Sequence, residues 1–201
     1  MKGMHISTAV VTSITLLGGV QALAHPAQSL VEKGTIAVDG QSVPYLIRRL
    51  PVSSFPALPE AVSNELRGRG CMIPQTYEAH RPENVVQASL AGTGSSDWAV
   101  LCSVKGTVSL LVFLEGGFDH PEVLASAPET ERLQAHDPSG VLGFNWGIDR
   151  ATPRQMRDAE AGLSPRPPAI HHDALADSTI ERHTVYHLYA HGVWTLLDMP
   201  D

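Results

Sequence analysis

The sequence predicts a single α+β domain over residues 25–201, with a mostly antiparallel sheet and about two short helices. Three observations predict this fold. Three β-rich runs between Asn84 and Glu115 are joined by short glycine-containing turns, which is typical of an antiparallel meander. A second hairpin pattern lies near the end of the chain. Two further segments carry the residues that begin and end short helices.

The first 24 residues have the layout of a cleavable secretory signal peptide. Lys2 supplies a positive start, an apolar stretch follows, and Ala22-Leu23-Ala24 places small residues where a signal peptidase cuts. A membrane anchor would need about 20 strongly apolar residues, and this stretch is shorter. We therefore expect a mature chain that begins at His25, has no membrane span and is periplasmic or secreted.

Composition narrows the partners that such a chain would have. The whole sequence carries a net charge of -7, and loss of the signal with its one charged residue, Lys2, makes the charge -8. Nucleic acids and anionic membranes bind basic surfaces, so neither is an expected partner. The 177 residues that remain of 201 are enough for one domain with its own hydrophobic core.

The first elements follow from turn and cap residues. Asp39-Gly40 separates two apolar runs within 35–50 and predicts a hairpin. Residues 59–69 predict a helix, because Val62 and Leu66 share one face and Gly70 suits a C-terminal cap. In the meander, residues 97–104 and 107–114 are nearly continuous apolar runs, so we expect them at the centre of the sheet with both faces covered.

The second half of the chain is less regular. Residues 116–139 are polar and rich in proline and acidic residues, and we expect surface loops there. Residues 141–148 predict one strand anchored by Trp146, and 153–163 a helix with Thr152 as its N-cap. The final hairpin, 184–189 with 193–197, turns at His191-Gly192 and leaves Tyr189 opposite Trp194.

The mature chain holds two cysteines, Cys71 and Cys102. In an oxidising compartment an isolated pair predicts a disulfide, which would attach the end of the first helix to the meander. A redox or metal-binding pair is the alternative, although the two residues lack C-x-x-C spacing.

Residues 89–101, Ser-Leu-Ala-Gly-Thr-Gly-Ser-Ser-Asp-Trp-Ala-Val-Leu, resemble the strand–loop–strand unit of FG-GAP or VCBS-type repeats. Loops of that family hold calcium with several Asp or Asn side chains, whereas Asp97 is the one acidic residue here, so calcium binding is not expected. The order of residues 70–75, then 97–102, then the terminal Trp-containing hairpin also resembles uncharacterised small exported bacterial proteins. That resemblance implies export and a Cys71–Cys102 pairing, and it implies no activity.

Histidines are the compositional oddity, with nine of ten after residue 24. His183, His187 and His191 recur every four residues, but in a strand such neighbours stand about 13 Å apart and cannot share one ion. A composite copper or zinc site from His171, His172, His183 and His187 stays open. His25 at a cleaved N-terminus is a further copper ligand to consider.

No nucleophile motif of a known hydrolase class is present in the sequence. We therefore expect a non-enzymatic exported domain without a cofactor that binds another envelope or extracellular protein. A copper- or zinc-binding protein is the second hypothesis. A hydrolase whose catalytic residues are distant in sequence is the third, since such sites leave no local motif.

Overall fold

The computed structural model describes residues 30–166 and 169–200, with the backbone alone at residues 199 and 200. The predicted signal peptide and His25 lie outside these residues. The helices are α1 (Glu60–Arg69) and α2 (Pro153–Ala159). The strands are β1 (Leu30–Val38), β2 (Gln41–Pro51), β3 (Met72–Gln75), β4 (Val85–Ala88), β5 (Asp97–Val104), β6 (Thr107–Phe113), β7 (Glu122–Pro128), β8 (Leu133–Ala135), β9 (Leu142–Phe144), β10 (Trp146–Ala151), β11 (Ala174–Thr179), β12 (His183–Ala190) and β13 (Val193–Pro200).

These strands form two sheets. The first sheet has the order β7-β6-β5-β3-β2-β9-β8, with β1 paired to β2 and β4 paired to β5. The second sheet has the order β10-β11-β12-β13. Among the described strands all pairings are antiparallel except that of β2 with β9. The predicted α+β class, with a mostly antiparallel arrangement and two short helices, is confirmed.

Three hydrophobic clusters show that the elements stack in four layers. One cluster joins the two sheets, and its members include Leu101 and Leu110 of the first sheet with Trp146 and Leu175 of the second. Another packs α1 on the outer face of the first sheet. The last packs α2, through Met156, on the outer face of the second sheet. The order of layers is therefore α1, first sheet, second sheet, α2.

The alternation of β5 explains why its sequence is apolar throughout. Ala99 and Leu101 face the second sheet, while Trp98 and Val100 face α1. A strand covered on both faces has no solvated side on which polar residues would be favoured. The expectation that β5 and β6 are covered on both faces is confirmed, and all but the last residue of β5 is buried. Of the two, β5 lies further inside the first sheet, because β6 is followed directly by the edge strand β7.

The turn and cap predictions are confirmed where local chemistry decides the structure. Asp39 and Gly40 both have positive φ, at 49° and 79°, as a two-residue type I′ turn requires. Gly70 ends α1 in the left-handed conformation. The Cys71–Cys102 disulfide is present, with the Cα atoms 5.1 Å apart, and attaches that helix end to β5.

Two expectations for the second half are wrong. Residues 116–139 include β7, which pairs along β6, and β8, which pairs with β9. Strand β7 was not expected because several of its side chains are small or polar; it forms because β6 pairs with it on one side. Residues 141–148 form two strands instead of one, because the chain crosses from the first sheet to the second at Asn145. The sequence analysis also missed β11.

No helix within residues 30–166 and 169–200 is long and apolar enough to cross a membrane.

Candidate functional site

The loop between β3 and β4, residues 76–84, separates two clefts of the molecule. Two buried side-chain amides hold this loop from its ends. Gln75 is 1% exposed; its Nε2 donates to the carbonyl oxygen of Glu83 at 3.1 Å, and its Oε1 accepts from the backbone N–H of Glu83 at 2.9 Å. This pair of bonds closes the loop at its base.

Asn84 ties the same loop to both sheets. Its Nδ2 donates to the carbonyl oxygens of Pro74, at 2.8 Å, and of Trp146, at 3.1 Å. Its Oδ1 accepts from the backbone N–H of Ile148 at 3.1 Å. Asn84 has a positive φ of 67°, a conformation that asparagine tolerates better than most residues. All of its amide hydrogen-bonding directions but one are used within the protein core.

The middle of the loop is held by two further bonds. Arg48 donates from Nη2 to the carbonyl oxygen of Ala79 at 2.6 Å, and the backbone N–H of Tyr77 donates to the carbonyl oxygen of Phe144 at 2.9 Å. Thr76 adds a hydroxyl bond to the Glu83 carboxylate at 2.8 Å. The loop is therefore fixed along its length, and the clefts beside it are formed before any ligand binds.

The first cleft, which we call the aromatic cleft, has a volume of about 390 Å³. It is defined by Leu46, Arg48, Tyr77, His136, Val141 and Phe144. Such a volume is within the range of small-molecule and peptide side-chain pockets. The walls combine apolar side chains, two aromatic rings and a guanidinium group.

Tyr77 and His136 stack face to face on one wall of the aromatic cleft, with ring centroids 4.5 Å apart and ring planes 8° from parallel. Gly143 lies beneath them. A Cβ atom at Gly143 would lie 2.5 Å from Cβ of Tyr77 and 3.1 Å from Cδ2 of His136. The absence of a side chain at Gly143 is therefore what lets the two rings meet.

Arg48 and Asp137 bring opposite charges to the aromatic cleft, and Glu181 lies close to the Tyr77 hydroxyl. Hydrogen bonds from Ser139 lower the pKa of Asp137, which is thus a carboxylate at neutral pH. Burial, followed by the negative charge of Glu181, raises the pKa of the Tyr77 hydroxyl, so the phenol stays protonated as a donor. Its oxygen lies 3.4 Å from a Glu181 carboxylate oxygen.

The second cleft, the acidic cleft, has a volume of about 450 Å³ on the other side of the loop. Glu78, Glu83 and Asp149 bring three carboxyl groups to it, and Arg81 brings a positive charge. Desolvation is the largest cause that raises the pKa of Asp149; nearby Glu83 raises it further and Arg81 opposes both. The arrangement favours a proton on Asp149 more than on an isolated aspartate.

Three of the four histidines predicted as metal ligands each place a ring nitrogen near a different oxygen atom. The ring Nδ1 of His172 lies 3.0 Å from the carbonyl oxygen of Asp173. For His171 it is the backbone carbonyl oxygen that is engaged, by the Thr93 hydroxyl at 3.1 Å. His183 Nε2 lies 3.1 Å from a carboxylate oxygen of Asp198.

His187 Nε2 lies 3.1 Å from Oδ2 of Asp177. Within the described residues no three His, Cys, Asp or Glu side chains come together as a metal site. Copper or zinc binding stays a prediction. Elemental analysis of tag-free protein after loading with either metal decides it.

His187 and Asp177 form a histidine–carboxylate pair, which is a part of many hydrolase active sites. Asp177 also accepts a hydrogen bond from Nε1 of Trp146 at 2.5 Å, and the edge of Trp194 approaches the His187 ring with centroids 6.4 Å apart. The histidine side chain is 5% exposed, and the pair lines neither cleft. Its place between the sheets is that of a buried polar network joining β10, β11 and β12.

Asp97, the acidic residue of the calcium-loop resemblance, is fully buried and already satisfied. Its Oδ2 accepts from the backbone N–H groups of Leu90 and Ala91, both at 2.7 Å, and from the Ser95 hydroxyl at 2.5 Å. Its Oδ1 accepts from the backbone N–H of Glu115 at 2.8 Å. The carboxylate therefore orders the glycine-rich loop itself, with both oxygens engaged by the chain.

The sequence analysis did not single out the residues of either cleft. Tyr77 and His136 belong to segments far apart in the chain, and Gly143 looks like any strand glycine until its neighbours are known. The signal that was available is local: a glycine inside a predicted strand often marks a close approach of other groups.

Comparisons with protein-family models, with curated proteins and with solved structures each find no significant match.

Proposed function

We propose that this protein is a non-enzymatic exported binding domain, and that the aromatic cleft holds a segment of another envelope or extracellular protein. The observation that carries the proposal is the stack of Tyr77, from the fixed loop 76–84, on His136, from the segment after β8, beside Arg48. Binding is tighter when the site is formed in advance, because less conformational entropy is lost on association.

The chemistry of the aromatic cleft indicates the kind of segment that fits. Leu46, Val141 and Phe144 offer apolar surface, and the stacked rings offer a flat wall for an apolar or aromatic side chain. Arg48 donates one bond to Ala79, and a guanidinium carries five N–H groups, so donors remain for a ligand carboxylate. The matching ligand is an extended peptide with an apolar side chain next to an acidic group.

Export supports a protein partner for this cleft. The signal peptide predicted at residues 1–24 would deliver the chain to a compartment where the Cys71–Cys102 disulfide persists. In that compartment the acidic chain would meet other exported proteins, whose exposed termini and loops supply segments of the required chemistry.

Selection of a random-peptide display library on the immobilised protein tests the proposal. We expect enriched peptides to share an acidic residue beside an apolar or aromatic one. Their affinity should fall about tenfold or more on Arg48→Met, because a hydrogen bond to a charged group contributes about 1.5–3 kcal/mol.

Two more variants make that result specific. His136→Ala should also weaken binding, although the His136 side chain makes no hydrogen bond to the loop. Arg157→Met, on the exposed side of α2, serves as the matched control and should bind like the wild type. Peptides that bind all three variants equally, or a library from which nothing enriches, would contradict the proposal.

A further inference from the structure

Strand β1 lies at an edge of the first sheet on the side away from the aromatic cleft, and among the described residues its outer edge is unpaired. It pairs with β2 over all nine of its residues with no bulge, and no other described strand pairs with it. It contains no proline, and both of its faces are largely solvent-exposed. Leu30 is 53% exposed, Val31 46% and Val38 40%. Natural edge strands usually carry features that prevent pairing. In β1 these are limited to the charges of Glu32 and Lys33, and a proline and a bulge are absent from the strand.

The hairpin geometry shows which residues face the free edge. Asp39 and Gly40 form a two-residue turn, so Val38 and Gln41 exchange hydrogen bonds as the closing pair. Pairs then alternate along the ladder, and the even-numbered residues of β1 direct their backbone groups to β2. The odd-numbered residues direct theirs outward: Val31, Lys33, Thr35 and Ala37.

We propose that two copies of this protein pair antiparallel through β1, about a two-fold axis that passes at Gly34. In this register Val31 lies opposite the partner's Ala37, and Lys33 lies opposite the partner's Thr35. Four pairs of outward-facing residues exchange two bonds each, about eight backbone hydrogen bonds in all. The two first sheets would become one continuous sheet.

Charge selects this register over its neighbours. Residues that lie opposite each other in a two-fold strand pair must point to the same face of the sheet. Odd-numbered residues therefore lie opposite odd-numbered ones, and the alternative registers move the two-fold axis by whole residues along β1. Moving the axis by one residue towards the N-terminus sets Lys33 against the partner's Lys33, and moving it by two sets Glu32 against the partner's Glu32. A step the other way leaves Leu30 and Val31 unpaired. The register centred on Gly34 avoids all three and places Leu30 opposite the partner's Val38.

Gly34 suits the position on the axis. Even-numbered residues form the closely spaced, non-hydrogen-bonded pairs of the new ladder, where Cα atoms approach to about 4.5 Å. The ring of Tyr45 occupies the place of a side chain at Gly34, since a Cβ there would lie 2.7 Å from it. Tyr45 is held by its hydroxyl bond to Glu32 at 2.9 Å. The two Gly34 residues can therefore lie close together across the axis, and the ring of Tyr45 covers each of them.

Sedimentation velocity over a concentration series, from about 1 to 500 µM, tests the dimer with a register-specific pair of variants. Val31→Lys/Ala37→Lys sets lysine against lysine at two places, and like charges directly opposite destabilise a strand pair. Val31→Lys/Ala37→Glu sets lysine against glutamate at the same places. We expect the wild type to dimerise in the micromolar range, because one strand pair buries less area than a standard interface.

The expected outcome is a dimer dissociation constant at least tenfold higher for the Lys/Lys variant than for the Lys/Glu variant. Both positions, Val31 and Ala37, are exposed before pairing, so both variants should fold. Val193→Lys/Leu196→Lys, at two residues of β13 that are more than 60% exposed, is the matched control and should dimerise like the wild type. A monomer at every concentration, equal constants for the two β1 variants, or binding of a heterologous strand by a monomeric protein would overturn the proposal.

Discussion

Substitution of Gly143 by alanine tests whether the aromatic cleft is as tightly built as its distances indicate. Carbon atoms pack best at about 3.5–4.0 Å, and the new Cβ would lie 2.5 Å from Cβ of Tyr77. An overlap of about 1 Å cannot be relieved by rotating a side chain, because Cβ of Tyr77 moves only with its backbone. That backbone is held by the bond from Tyr77 N–H to Phe144. We expect Gly143→Ala to lower the free energy of unfolding by about 1–3 kcal/mol, the usual cost of overpacking.

Urea unfolding measures this cost, and the chain offers a matched control. Gly92 has open space where a Cβ would be added and no positive φ, so Gly92→Ala should be neutral or slightly stabilising. With a slope of about 2 kcal/mol/M, a loss of 2 kcal/mol moves the midpoint down by about 1 M. If Gly143→Ala unfolds within about 0.5 kcal/mol of Gly92→Ala, the tight approach of Tyr77 to Gly143 is refuted.

Three further predictions concern the rest of the fold. Glu129→Gln should cost about 3 kcal/mol in urea unfolding, because the buried Arg49 would lose the charge of its buried carboxylate partner, at 2.5 and 2.8 Å, and keep only the partly exposed Glu32. Arg49→Met/Glu129→Leu should unfold within about 1 kcal/mol of the wild type, and equal losses in both variants would contradict this. Cys71→Ala/Cys102→Ala should lose about 3–4 kcal/mol in the same assay, since the disulfide closes a loop with a sequence separation of 31; an unchanged midpoint would contradict this. The hydrogen bond from Tyr45, followed by that from Arg49, lowers the pKa of Glu32 in the folded protein below its ordinary 4.5. The stability that ionised Glu32 contributes is therefore complete above pH 4.5 and is lost as pH falls through the lower pKa of the folded state. The difference in unfolding free energy between wild type and Glu32→Gln should shrink over that acidic range, and a difference that grows on acidification would contradict this.

The parts of the fold that sequence could predict are those decided by neighbouring residues. Asp39-Gly40 and His191-Gly192 each form the expected two-residue turn with both φ values positive. Each hairpin register follows from its turn, so Tyr189 lies opposite Trp194 as expected. Thr152 caps α2 with a complete capping box.

The parts that could not be predicted depend on distant partners. Strand β7 has short side chains such as Ala125 and Ser126, and it is a strand because β6 pairs with it along its length, with one register shift between Leu110 and Leu111. Asn145 lies between β9 and β10, where the chain passes from the first sheet to the second. Its backbone N–H donates to the carbonyl oxygen of Arg132, and its carbonyl oxygen accepts from the backbone N–H of Ile180.

The candidate site likewise depends on residues that are distant in the sequence. Its rings come from the loop 76–84 and from the segment after β8, and the register of β2 with β9 brings them together. A parallel pairing between residues so far apart leaves no pattern in either segment. The aromatic cleft therefore could be found in the structure and not from the sequence.

Hydrogen–deuterium exchange with and without an enriched peptide tests whether the aromatic cleft is the binding site. We expect the peptide to protect residues 75–83 and 136–143, the two segments that form the aromatic cleft, and Arg48→Met to abolish the protection. Protection confined to other segments, such as β1 or the acidic-cleft residues of β10, would contradict binding at this cleft.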